Sequence, residues 1–167
     1  QIEVSGDKSL SIRWVLFSSL ASGKSKAYNL LKSEDVFAAI NTIKQLGIKV
    51  KFNDNFCEIH GKGLSGYNYK NNIIINAKNS GTLGRLILGL LVNSDKNIKL
   101  IGDKSLSKRD FKRISKPLEK FGAKFKLTKN KYLPLRILGT KNLKPINYYE
   151  KKGSAQVKSS LIFAALR

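Results

Sequence analysis

The 167-residue chain predicts an α/β fold built from one supersecondary unit used more than once. Three observations carry this. Helical and strand-like hydrophobic periods alternate, and they do so twice in the same order of helix, strand, helix and hairpin. The junction "IKQLGIKVKF" and its later counterpart "LEKFGAKFKL" place apolar residues, a glycine and alternating strand positions in step. Three prospective helix starts, Ser9, Gly81 and Ser154, lie 72 and 73 residues apart, each with a basic residue four positions on, at Arg13, Arg85 and Lys158.

In the first pass the spacing predicts a helix near Ser9 to Ser22, a strand in "KAYNLL" and a second helix from Asp35 to Leu46. Val36, Ala39, Ile40, Ile43 and Leu46 form one apolar stripe of that helix, which Ser33 or Glu34 starts and Gly47 stops. Strands "IKVKF" and "FCEIH" follow as a hairpin through Asn53-Asp54-Asn55, whose side chains favour a tight turn. The second pass gives a helix from about Gly81 to Val92, a strand "IKLIG", a helix of about Arg109 to Phe121 stopped by Gly122, and a hairpin of "AKFKL" and "LPLRIL". Pro117 lies inside the later helix and is expected to kink it or shift its start. A third pass opens at "GSAQVKSSLIFAALR". The expected units are about 5–77, 78–145 and 146–167, the last incomplete, each burying its apolar helix face against its neighbours.

The hydrophobic content of 41% suffices for a core of ordinary size, and the formal charge is +21. Taken alone that charge suggests a polyanion partner. Its texture argues otherwise: Lys residues are scattered singly, only six Arg occur (13, 85, 109, 113, 136 and 167), and there is no basic run of five, no aromatic RNA-binding motif and no metal-knuckle spacing. Small anionic ligands fit it, and neither nucleic acid nor a membrane is an expected partner. No run of about 18 apolar residues marks a membrane span. A single Cys57 and no signal-like segment make the cytoplasm the expected compartment. The chain starts with Gln1 and "SSLIFAALR" stops inside what reads as a helix, so it is expected to be a piece of a longer protein.

Basic residues at a helix N-terminus are electrostatically misplaced unless they serve something other than the helix. Free N–H groups and the positive end of the macrodipole attract anions there. Units packed about a pseudo-threefold axis would bring their first helices' N-termini together, and Arg13, Arg85 and Lys158 would then add to an anion site.

The segments "GDKSLSIR", "NSGTLGR", "GDKSLSKR" and "GSAQVKS", in this order and spacing, resemble the substrate motifs of the 5-enolpyruvylshikimate 3-phosphate synthase family. The similarity spans all 167 residues, including the "SED" before the second helix and the strand "LPLRI", and "SAQ" resembles the bacterial branch with Ala in that motif. The resemblance implies an inside-out α/β barrel of two domains, each made of three βαβαββ copies. This chain would hold part of one substrate-binding domain, with the second domain absent. It also implies transfer of the enolpyruvyl group of phosphoenolpyruvate to the 5-hydroxyl of shikimate 3-phosphate, releasing phosphate, without a cofactor or metal and as a monomer when full length.

By motif, Lys8 is expected to touch both substrates and to share in catalysis. Ser9, Arg13, Ser154, Ala155 (through its backbone) and Gln156 correspond to residues that bind shikimate 3-phosphate. Gly81, Arg109 and Gln156, with Lys8, correspond to residues that bind phosphoenolpyruvate, and Asn79 shapes the turn before Gly81. Arg85 and Lys158 either line the cleft or pair with a neighbouring acid. Where the family usually reads Arg-Pro-Met, this chain has Arg109-Asp110-Phe111, and Asp110 is a potential competitor for Arg109. The acid/base carboxylates of the family belong to the missing domain.

Other features carry no function. "SGKSK" at Ser22 to Lys26 lacks the upstream glycine of a nucleotide-binding loop and reads as a turn; His60 reads as a surface or turn residue, Cys57 as packed, and Trp14 as packing on the sheet. The alternatives are a UDP-N-acetylglucosamine 1-carboxyvinyltransferase-like enzyme, against which the Ser-x-Ser-x-x-Arg pattern stands, a non-catalytic remnant of the fold, and a basic nucleic-acid-binding module.

Overall fold

The computed structural model describes residues 5–150 and 153–166, and the chain divides into two compact units between Tyr69 and Lys70. Residues 151–152 and 167 of the expected third unit lie outside the described residues.

The first unit runs α1 (Lys8–Leu20), β1 (Ser22–Ala27), α2 (Glu34–Gln45), β2 (Lys49–Phe52) and β3 (Cys57–Lys62). Its antiparallel sheet has the order β1-β3-β2. Ile12, Val15 and Leu16 of α1, Val36, Ala39, Ile40 and Ile43 of α2, and Cys57 and Ile59 of β3 are buried as its core. Ser33 caps α2, its Oγ accepting the Val36 N–H at 3.4 Å, and Gly47 follows with φ +87°. Burial pushes the Cys57 thiol up to about 11, so it is a neutral packing group.

The strand after α1 is displaced from its expected place: it covers "SGKSKA", not "KAYNLL". Six cross-strand pairs, from Ser22 opposite Lys62 to Ala27 opposite Cys57, hold it as an outer strand with one face in water. Ladder hydrogen bonds therefore override the turn-like composition of "SGKSK". At the centre of this sheet Glu58 accepts from or pairs with the His60 ring at 2.7 Å, a contact that holds its carboxyl below the usual range. Lys24 and Lys49 flank His60, and Lys26 and Lys51 flank Glu58, across the strands.

The second unit runs β4 (Ile73–Asn76), α3 (Gly81–Leu91), β5 (Asn97–Ile101), a 3-10 turn (Leu106–Lys108), α4 (Lys112–Glu119), β6 (Lys124–Thr128), β7 (Tyr132–Leu138) and α5 (Ala155–Ala165). The sheet order is β4-β5-β7-β6, with β4 parallel to β5 and the other pairs antiparallel. From β4 to β7 this is a complete βαβαββ unit. The strand β4, not foreseen, opens it as the parallel partner of β5. On the water-facing side Lys99, Arg136 and Lys126 stand in one cross-strand row.

Helix α4 is shorter than expected and starts at Lys112, not Arg109. Asp110 supplies the cause, because its Oδ1 accepts the N–H groups of Lys112 at 2.8 Å and Arg113 at 3.3 Å and so sets a new helix start. Pro117 sits inside the remaining turns.

Helices α3 and α5 pack along each other with almost no side chain between them at Gly89. A Cβ there would lie 2.0 Å from the Ser160 carbonyl oxygen. Ser160 Oγ also donates to the Arg85 carbonyl at 3.0 Å. Gly89→Ala is therefore expected to force the helices apart and lower stability by about 1–3 kcal/mol or more, read as a fall in urea midpoint at unchanged m-value.

Candidate functional site

The first turn of α3 is where the second unit gathers charge. Ser80 caps the helix, its Oγ accepting the Leu83 N–H at 3.2 Å. Gly81 comes next and is buried; a Cβ on it would lie 2.7 Å from Arg85 Nη1 and 3.0 Å from Arg109 Nη1. Two guanidinium groups thus converge on one backbone position. First-turn N–H groups lack partners in their own helix, so this place combines fixed cations with free backbone donors.

Each arginine arrives by a different route. Arg109 ends the 3-10 turn on extended backbone (φ −83°, ψ 150°), and its Nη2 donates to Asn79 Oδ1 at 3.4 Å. Asn79 Nδ2 in turn donates to Asp103 Oδ2 at 2.5 Å. The Leu106 N–H, 2.6 Å from Asp103 Oδ1, and then the Asn79 amide keep the Asp103 carboxyl below its ordinary range. Asp110, the expected competitor, instead faces the α4 backbone and Lys131 Nζ at 3.7 Å.

Arg85 is 8% exposed and, among the described residues, forms no ion pair with an acid. Its Nη1 donates to the Gly81 carbonyl at 3.3 Å and to Gln156 Oε1 at 2.8 Å, while Cζ lies 5.3 Å from the Phe111 ring centroid. Nε is buried without a partner among the described residues. Burial, then the nearby Arg113 and Arg109, pull its pKa down. Gln156 comes from the start of α5, where Ser154 Oγ accepts the Val157 N–H at 3.4 Å and Ala155 opens the helix. Gln156 Nε2 reaches Thr82 Oγ1 at 3.1 Å, so the starts of α3 and α5 do lie side by side. Lys158 is exposed and lines a different, open groove with Phe121 and Tyr149.

In the first unit Asp7, not Ser9, caps α1, its Oδ1 accepting the Leu10 N–H at 2.7 Å. Lys8 Nζ is 3.4 Å from Asp35 Oδ2, at the start of α2, and Arg13 Nη1 donates to the Ser9 carbonyl at 3.1 Å. Counted from the caps Asp7, Ser80 and Ser154, the basic residues Arg13, Arg85 and Lys158 stand six, five and four positions on. The equal spacing in sequence therefore slips in phase by one residue per repeat, which explains why Lys158 departs from the pattern of the two arginines.

The two "GDKSL" segments share one local bond, Asp7 to Leu10 and Asp103 to Leu106. Their continuations differ: Leu106 is fully buried and the turn stops, whereas Leu10 is 67% exposed and the helix runs on. Among the described residues no three His, Cys, Asp or Glu gather to hold a metal.

The sequence matches the family model of EPSP synthase (3-phosphoshikimate 1-carboxyvinyltransferase) over residues 1–167. The chain belongs to the EPSP synthase family. It is 44% identical over 167 residues to the 3-phosphoshikimate 1-carboxyvinyltransferases of Streptococcus agalactiae serotypes Ia and V. The matches take in 99% of this chain and 39% of those relatives, so it spans about two-fifths of their length. A solved EPSP synthase structure from Acinetobacter baumannii superposes with a TM-score of 0.91 at 34% identity, over 98% of this chain and 37% of that one. The α/β architecture is thus that of EPSP synthase, and the four motifs of this family member coincide with the helix starts and the 3-10 turn just described.

Three participants lie within the quoted segments without having been assigned a role there: Asp35 in "SED", Asp103 in "GDKSLSKR" and Thr82 in "NSGTLGR". The repeat of "GDKSL" was the available signal for Asp103; nothing in the sequence pairs Asp35 with Lys8 or Thr82 with Gln156. If Asp110 serves α4 and not Arg109, Asp110→Ala should cost about 1 kcal/mol in urea unfolding. The Asn79 side-chain amide signal in NMR should stay in place, and its displacement would tie Arg109 to Asp110.

Proposed function

We propose that this chain is part of a 3-phosphoshikimate 1-carboxyvinyltransferase, a cofactor-independent cytoplasmic enzyme, monomeric when full length, and forms part of its substrate-binding domain. The observation that carries the proposal is the convergence of Arg85 and Arg109 on the Gly81 backbone beside the Gln156 amide. Such a cluster suits a small, densely anionic ligand better than a long polyanion, because its donors crowd one helix start.

In the second unit, Gly81, Arg109 and Gln156 bind phosphoenolpyruvate, with Asn79 holding Arg109; Ser154, Ala155 (through its backbone) and Gln156 bind shikimate 3-phosphate. In the first unit, Ser9 and Arg13 bind shikimate 3-phosphate and Lys8 serves both substrates. A guanidinium forks two oxygens in a fixed plane, whereas the Lys8 ammonium is a movable point charge. Both substrates are strongly anionic, so the protein first has to hold them together against repulsion.

The reaction forms a bond from the 5-oxygen of shikimate 3-phosphate to C2 of phosphoenolpyruvate while the methylene carbon gains a proton and the hydroxyl loses one. The tetrahedral adduct then loses a methyl proton and phosphate, restoring the double bond. These transfers need acid/base groups. Lys8, poised against Asp35, is this chain's candidate for a share in them; the further carboxylates belong to the rest of the enzyme.

The purified 167-residue chain is accordingly expected to bind shikimate 3-phosphate weakly and to show no carboxyvinyl transfer, as followed by phosphate release. Turnover by this chain alone would refute the division of labour. Arg13→Ala should reduce shikimate 3-phosphate affinity more than Lys24→Ala, which removes a charge from the exposed face of β1; equal losses in a calorimetric titration would mean that bulk charge alone attracts the ligand.

A further inference from the structure

We infer that Arg85 is a positioning residue that fixes the amide of Gln156 so that this side chain presents N–H groups, and never its oxygen, to an anionic ligand. An amide is ambidentate, with an acceptor oxygen and a donor NH2 on one planar group, and the direction it faces follows from its partners. Arginine has only donors and stays charged. With Arg85 Nη1 at 2.8 Å, the Gln156 oxygen is the one end of the amide that can face it. The NH2 is thereby turned the other way, where one N–H meets Thr82 Oγ1 at 3.1 Å. Among the described residues the second N–H has no partner. Thr82 adapts to either orientation because a hydroxyl both donates and accepts, so Arg85 makes the choice.

Arg85 is itself held on three sides. The Gly81 carbonyl accepts from Nη1, the Phe111 ring lies against the guanidinium, and its own carbonyl is tied to Ser160 Oγ. It is 8% exposed, against an exposed Arg109. The two arginines therefore divide the work: Arg109 is available to a ligand, whereas Arg85 acts through Gln156. The inference rests on the ligand assigned to Gln156 above only in its second test.

The first test needs no ligand. In Gln156→Glu the new carboxyl inherits the place beside Arg85, and its 13C titration should fall well below the ordinary glutamate value of about 4.3. An ordinary titration overturns the proposal. In the second test, shikimate 3-phosphate is titrated into the 167-residue chain. Gln156→Glu keeps the Arg85 contact but offers acceptors alone, and Arg85→Met, which has no donor to hold the oxygen, frees the amide. Each should weaken binding about tenfold, the scale of one hydrogen bond to a charged group, and the double variant no further than either single one. Losses that multiply in the double variant would show Arg85 acting on its own and overturn the proposal. Absence of binding by the unsubstituted chain would instead count against the substrate assignment, while the carboxyl titration still decides the orientation of position 156.

Discussion

Everything assembled at the α3 start depends on how closely α5 approaches it. Gly89 removes the side chain that would otherwise separate the two helices, and the Ser160 backbone fills that space. The two helix starts then stand near enough for Gln156 to span from Arg85 to Thr82. A larger residue at position 89 would act on the ligand-facing side chains without touching them, through the distance between two helix axes. The contact is steric, yet its product is electrostatic.

A buried cation demands compensation, and Arg85 finds it in neutral groups. An ion pair would satisfy the guanidinium but also cancel the field that an anionic ligand feels. Carbonyl oxygens and an aromatic face leave the net charge intact while satisfying part of its hydrogen-bonding capacity. The orphaned Nε and the pKa drawn down by burial are what such an arrangement costs. Asp103 shows the complementary solution at Arg109: the acid is kept one residue away, behind Asn79, so that it orients the arginine without neutralising it directly.

The parts of the fold legible in the sequence were those in which local chemistry and tertiary context agree. α2 has a capping serine, an apolar stripe and a stopping glycine, and it falls within one residue of expectation. β1 departs from expectation because an outer strand facing water keeps no apolar pattern, and β4 gives no signal because the four residues of "IIIN" carry no period. A motif singles out residues but not the contacts that support them. Pairings such as Lys8 with Asp35, or Gln156 with Arg85 and Thr82, join positions far apart in sequence and become visible only when helices are docked. Asp110 shows the reverse case, where adjacency to Arg109 suggested a partner that the backbone of α4 had already claimed.

The lysine-flanked sheets have a consequence apart from any ligand. In the first sheet β1 and β2 are the outer strands, and Lys24, Lys26, Lys49 and Lys51 ride on them; in the second, of the two outer strands β4 and β6, it is β6 that carries Lys124 and Lys126. An outer strand is a template for pairing with another chain, and lysines along it make such pairing repulsive. The same charge that looks excessive as a composition therefore works as a guard against edge-to-edge aggregation along β1, β2 and β6, outer strands too short and too polar to be protected by burial.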